Sequence, residues 1–189
     1  MSKVDLIIPT HNRTEYLKRI LDYYQEYGKD FNFIVADSSN PTIKQSNKKL
    51  VRSYSRLRIL YIDKFSDKLI QSHKFAEMVE YAKSKYVCFC ADDDFIVPNA
   101  IKECINFLEK NPDYIGAHGT YIGFHLFKNF ISNKFWWQFR NSPISISSPK
   151  PLDRLAELLT TSSQILWAVK LTEAVKYSYQ QFRKILEIK

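Results

Sequence analysis

A chain of 189 residues, 45% of them hydrophobic, is long enough to bury one core and too apolar to stay disordered. Its three cysteines, Cys88, Cys90 and Cys104, lack the spacing of a paired zinc site, and no run of ~20 apolar residues exists to span a bilayer, which sets aside a disulfide scaffold, a zinc module and an integral membrane protein. The formal charge of +8 is spread over scattered residues such as Lys44, Lys48, Lys49, Arg52, Arg56 and Arg58, which read as solvated side chains rather than as a nucleic-acid surface.

Met1-Ser2-Lys3 leads straight into a strand without the apolar segment of a signal peptide, so a cytoplasmic location, at the inner face of a membrane, is expected. Val4-Asp5-Leu6-Ile7-Ile8-Pro9-Thr10 is almost continuously apolar, as a parallel strand covered on both faces is. Asn12 is placed to cap the helix that follows, with Glu15 three residues on in the manner of a capping box. Leu17, Ile20, Leu21 and Tyr24 recur on one helical face, and Gly28 supplies the stop. A second strand, Phe31 to Ala36, closes on Asp37, and the strand-helix-strand order implies a right-handed parallel crossover. Lys44 to Arg56 predicts a short helix and loop, Leu57 to Ile62 a third strand, and Phe75, Met78, Val79 and Ala82 the next amphipathic helix.

That helix delivers the chain to Tyr86-Val87-Cys88-Phe89-Cys90-Ala91-Asp92-Asp93-Asp94, an apolar run ending abruptly in three carboxylates. Cys88 and Cys90 alternate along the strand and should share one face as small buried residues. Three adjacent like charges repel, and a cation or a set of hydroxyl groups among them accounts for their persistence. Hard oxygen ligands suit Mn2+ or Mg2+, ions that also bind phosphate, so the stretch suggests a metal-assisted site for a phosphorylated ligand. A solvated turn capping the next helix is the competing explanation. Pro98 then opens a helix lined by Ile101, Cys104, Ile105 and Leu108, which Asn111-Pro112 ends.

Beyond Tyr114 the pattern weakens. Ile115 to Phe127, interrupted by Gly116, Gly119 and Gly123, predicts bent strands or a loop approaching a ligand. Phe135, Trp136 and Trp137 lie between Lys134 and Arg140. Such a stretch can rest on a membrane surface, but a buried aromatic patch is the preferred reading. Ser142 to Pro151 is a loop, Leu152, Leu155, Leu158 and Leu159 mark a helix, Ile165 to Val169 a strand, and a last helix starts near Thr172. Alternating strands and helices make an open α/β sheet with ligands bound outside the carboxyl ends of its strands.

The opening Val4 to Arg13, the strand ending in Asp37, and the acid cluster followed by Pro98 together resemble the nucleotide-sugar glycosyltransferases of family 2. The resemblance implies the GT-A fold, a Rossmann-like, open, mixed but mostly parallel sheet with helices on both faces. It implies a nucleotide-sugar-binding half over 1–112 and an acceptor-side half of the same domain over 113–189, shorter than the family's. It places Pro9 and Thr10 beside the nucleotide base and Asp37 on that base. Counting back from Pro98, the family's two acid positions fall on Ala91 and Asp93. Asp93 is therefore the implied metal ligand, Asp92 a ribose or phosphate contact and Asp94 a donor-sugar contact, with Asp92 and Asp94 as register alternatives for the metal.

Asn12, Arg13 and Lys68 are further candidates for the nucleotide sugar, as are His11, His73 and Lys74 on charge alone. Inverting transfer needs a carboxylate to take the acceptor proton. Asp153, Glu157, Glu173 and Glu187 are the acids available downstream, and none lies in a motif. The implied reaction is metal-dependent, inverting transfer from a nucleotide donor, UDP-linked by preference, to a hydroxyl of a glycan or a lipid-linked carrier, with peripheral membrane association. The alternatives are a catalytically silent nucleotide-sugar-binding domain and a nucleotidyltransferase. The latter ranks lower because Pro9 to Arg13 lacks the glycines of a triphosphate loop. The reading requires Asp37 and Asp92 to Asp94 to converge on one pocket.

Overall fold

Strands β1 (Val4–Thr10) and β2 (Asn32–Asp37) run parallel, in a register that sets Asp5 opposite Asn32 and Thr10 opposite Asp37. A computed structural model describes residues 2–66, 71–128, 133–139, 144–161 and 165–187. On one flank of this pair β3 (Arg58–Ile62) joins β2 in parallel, and on the other β4 (Tyr86–Phe89) joins β1 in parallel. β8 (Val169–Leu171) then runs antiparallel to β4, and β5 (Gly116–Ala117) antiparallel to β8. The result is a six-stranded, mixed, mostly parallel sheet of order β3-β2-β1-β4-β8-β5.

The continuous apolar character of the central strands has a direct structural cause. Leu6, Ile8, Phe33, Val35, Cys88 and Cys90 point to one face, where they meet α1 (Thr14–Tyr27), α2 (Pro41–Ser53) and α4 (Pro98–Lys110) through Leu17, Ile20, Leu21, Tyr24, Val51, Ile101, Ile105 and Leu108. Ile7, Ile34, Ala36, Val87 and Phe89 point to the other, against Phe75, Met78 and Val79 of α3 (Gln71–Val79) and Val175 of α6 (Thr172–Glu187). Each fully buried Leu, Ile or Phe contributes about 1.5–3 kcal/mol, and both faces of the strands collect it. The thiols of Cys88 and Cys90 are free and buried, and burial pushes Cys90 up to about 12. Asp5 is the exception in its strand. Its carboxylate is satisfied at the amino end of the sheet by the backbone N–H groups of Lys83 and Ser84, the Ser84 hydroxyl and Asn32.

Four local expectations are corrected. Asn12 does not cap α1: Arg13 holds that position without a side-chain cap, and Asn12 takes a left-handed φ of 55°. The segment read as a short helix from Lys44 is a full helix beginning at Pro41, because Asn40 Oδ1 accepts the Ile43 N–H at 3.0 Å and Pro41 fits the first turn. Residues 165–167 form a 3-10 turn, so the expected strand is displaced to Val169–Leu171. The described aromatics of that stretch are not buried: β6 (Ile122–Lys128) and β7 (Asn133–Phe139) form a separate two-stranded hairpin on which Trp136, Trp137 and Phe139 are exposed. The apolar helix after the Ser/Pro loop is α5 (Pro151–Thr160). No described helix is long and apolar enough to cross a membrane.

Candidate functional site

The carboxyl ends of β1, β2 and β4 lie side by side, and polar side chains stitch them together. Cys90 N–H donates to Ile7 O at 2.9 Å, which brings the end of β4 against β1. Two residues beyond, the buried carboxylate of Asp92 accepts the Thr10 hydroxyl at 2.7 Å. The Arg13 guanidinium, at the start of α1, donates to Asp92 Oδ1 at 3.3 Å and to Asp93 Oδ2 at 3.0 Å. Asp92 and then Asp93 hold the Arg13 proton more tightly than usual. Arg19, one helical turn and a half further on, donates to the Asp93 carbonyl at 3.3 Å, and Tyr16 lies under both guanidinium groups.

The three acids differ in environment. Burial pushes the Asp92 carboxyl upward, against the opposing pull of the Thr10 hydrogen bond and Arg13, while Asp93 raises it further. Asp94 is raised by partial desolvation, then by Asp93 and Asp92. Lys74 closes the floor. Its ammonium is buried and donates to Thr10 O at 3.0 Å and Ser38 Oγ at 2.7 Å. Burial lowers it to about 8, although Asp37 and Asp92 hold it up.

The loops after β1 and β2 are laced to each other. His11 Nδ1–H donates to Ser38 O at 2.9 Å, and Asn12 Nδ2 donates to His11 Nε2 at 3.2 Å, which fixes the tautomer. Asn12 N–H donates to Ser39 Oγ, and Asn12 Oδ1 accepts both the backbone N–H and the side-chain amide of Asn40, at 3.0 and 3.1 Å. Two orphan donors of one loop are thus satisfied by the other, and the strained Asn12 backbone is held in place.

Thr10, Arg13, Asp92 and Asp93 therefore meet directly. Asp37 is placed at the neighbouring strand tip, as the sequence suggested, but its carboxylate turns inward. It is fully buried, with Oδ1 accepting Ser39 N–H at 2.7 Å and Oδ2 accepting Asn47 Nδ2 and the Tyr61 hydroxyl, each at 2.7 Å. Three donors take three of its roughly four acceptor positions, and full burial turns the group away from solvent. Asn47 and Tyr61, from α2 and β3, escaped the sequence reading because neither lies in a motif. Glu173 follows Thr172, whose N–H and hydroxyl bind Lys85 O and Ser84 O at the amino end of β4, so it stands at the opposite end of the sheet from the acids. Asp153 accepts the Ser148 hydroxyl at 3.2 Å on the surface of α5, and Glu157 lies one turn further along that helix. Lys68 and the Glu187 side chain lie outside the described residues.

Among the described residues no group of three or more His, Cys, Asp or Glu side chains is arranged to cage a metal ion. A cage is not what Mn2+ or Mg2+ bound with phosphate requires, since one or two carboxylates suffice. Asp92 and Asp93 fit that donor set: a single cationic group, the Arg13 guanidinium, already reaches an oxygen of each.

A concavity of about 1030 Å³, lined by none of Asp92, Asp93 and Asp94, opens between α4, β5, residues 144–148 and α5, with Lys170 and Arg154 among apolar neighbours such as Phe107, Leu155 and Leu158. Tyr121, on the loop after β5, has its phenol raised chiefly by burial.

The model of the family described as Glycosyl transferase family 2 matches residues 5–155. A comparison with curated proteins found no match. Among solved structures, TarS 1–349 of S. aureus is similar with a TM-score of 0.56 at 17% identity, over 93% of this chain and 49% of that one. A longer TarS structure of the same organism gives 0.53 at 17% identity, over 92% and 29%. The mannosyltransferase PcManGT from Pyrobaculum calidifontis, solved with GDP-Man and Mn2+, gives 0.51 at 18% identity, over 60% and 34%. Identities this low speak for the fold alone, and the chain spans half or less of each of these structures.

Proposed function

Since the chain belongs to glycosyl transferase family 2, we propose that it binds a nucleotide-sugar donor at the joined tips of β1 and β4 and serves a metal-dependent, inverting sugar transfer. The observation that carries this reading is the bridge from Thr10 through Asp92 to Arg13 and Asp93, which gathers two carboxylates and a partly exposed guanidinium at one strand end. Asp93 with Asp92 would hold Mn2+ or Mg2+. When bound, such an ion neutralises charge gathering on the departing nucleoside diphosphate. Arg13, at the start of α1, is placed to contact the diphosphate oxygens, where the helix end also favours anions.

Asp37 acts on the pocket rather than on the base: through Ser39, Asn47 and Tyr61 it fixes the wall formed by residues 37–39. Pro9, Asn12 and the Ser38–Ser39 loop are left to face the nucleoside, with a UDP-linked donor preferred from the family resemblance. Asp94 is assigned to the donor sugar. Residues 1–112 carry the donor side and 113–189 the acceptor side, where the apolar concavity near Lys170 suits a hydroxyl of a glycan or a lipid-linked carrier. In the transfer, the acceptor oxygen bonds to the anomeric carbon, its proton passes to a carboxylate, and the bond to the diphosphate breaks with its electron pair on the leaving group.

No carboxylate described after residue 113 contacts the acid cluster, and this favours a second reading, a donor-binding domain that is silent by itself. Calorimetric titration with UDP and GDP, with and without Mn2+, tests the primary reading. Asp93→Ala should remove the metal-dependent part of nucleotide affinity, and an unchanged affinity refutes the assignment. Donor consumption that releases free nucleoside diphosphate separates the active from the silent form.

A further inference from the structure

The β6–β7 hairpin sets Ile122 opposite Phe139 and Phe124 opposite Trp137. Alternation along each strand puts these two adjacent pairs on one face. All four side chains are exposed, at 56%, 64%, 48% and 51%, and Trp137 and Phe139 stack edge to face with centroids 5.3 Å apart. The hairpin is its own two-stranded sheet, separate from the six-stranded one. A hairpin of this kind is marginal in water, and a contiguous aromatic face exposed on it marks a surface that works while covered.

The charge pattern decides what covers it. From Tyr114 to Leu152 the sequence holds no Asp or Glu, while Lys128, Lys134, Arg140 and Lys150 lie within it. A second copy of the hairpin would set this acid-free basic segment against itself, whereas an anionic bilayer complements it. Trp and Phe favour the headgroup boundary, and basic residues near it gain from anionic lipid. We propose that this face docks the protein on an anionic lipid surface, with Ile122, Phe124, Trp137 and Phe139 seated at the headgroup boundary. The inference is independent of the nucleotide reading.

Co-sedimentation of the full chain with vesicles of phosphatidylcholine, alone or mixed with phosphatidylglycerol, tests it at low and high salt. The double variant Trp137→Ser/Phe139→Ser, its fold checked by circular dichroism, is compared with Tyr177→Ser, an equally exposed aromatic on α6. The expected result is salt-sensitive binding to the anionic vesicles, weakened roughly tenfold in the double variant and unchanged in Tyr177→Ser. No binding to anionic vesicles, or equal binding by the double variant, overturns the proposal. A concentration-dependent dimer in sedimentation velocity that the double variant abolishes also overturns it, in favour of a second copy.

Discussion

Arg13→Gln should tighten the binding of a divalent cation to the nucleotide-free chain. The guanidinium lies 3.3 Å from Asp92 Oδ1 and 3.0 Å from Asp93 Oδ2, so it competes for the oxygens that would hold the ion. Arg13 and Asp93 are about half-exposed, at 49% and 45%, and solvent screens their pairing, while Asp92 is buried and screened less. Exposed pairs are worth about 0.2–1 kcal/mol each, and the buried end lifts the sum to about 1–2 kcal/mol. Removing that competition corresponds to roughly 5- to 30-fold in Mn2+ affinity. Glutamine keeps a polar head without the charge. The assay is a Mn2+ titration read by the electron paramagnetic resonance signal of the free ion, with Asp93→Asn as the zero. An affinity equal to or weaker than that of the parent refutes the competition argument.

Lys74 supplies a pH test. Its proton is held down to about pH 8 in the fold against 10.5 in the open chain, so the unfolded state binds the extra proton between those values. A depressed value of this kind contributes stability that is present above the unfolded value and lost as pH falls through the folded one. Relative to Lys74→Met, the parent should gain about 3 kcal/mol between pH 7 and pH 10.5 in urea denaturation, and a flat difference would refute the reasoning. Asn12→Ala should cost about 1–3 kcal/mol in thermal or urea unfolding, because it loses both Asn40 contacts and leaves alanine at φ 55°. Asn12→Gly should fall between, and an alanine variant as stable as the parent would show that the two loops are not clasped through this residue.

The parts of this fold legible in the sequence are those set by local rules. The strands of the sheet centre read as apolar runs because helices cover both their faces, and Pro98 read correctly as the first residue of α4. The acid cluster was legible as a site because nothing in a strand's packing demands three carboxylates. Asn12 was misread because an asparagine ahead of a helix satisfies either a cap or a left-handed turn, and its partner Asn40 lies on another loop. The engagement of Asp37 was hidden for the same reason. Its donors Asn47 and Tyr61 lie on α2 and β3, and only the completed sheet brings them to the carboxylate. Exposure of the β6–β7 aromatics depends on what the hairpin packs against, which alternation alone does not encode.

The placement of Cys88 and Cys90 gives the molecule a built-in clock. Cys88 lies on β4 and Cys90 directly follows it, both on the face covered by α1 and α4, and with the Cys90 thiol held up to about 12 its reactive anion is scarce at neutral pH. An alkylating reagent can therefore reach them only when β4 parts from the helices above it, whereas the less buried Cys104 is attacked first. The lag between the two modifications times the breathing of the strand that carries the carboxylates, and any compound that fastens the strand tips together must lengthen it.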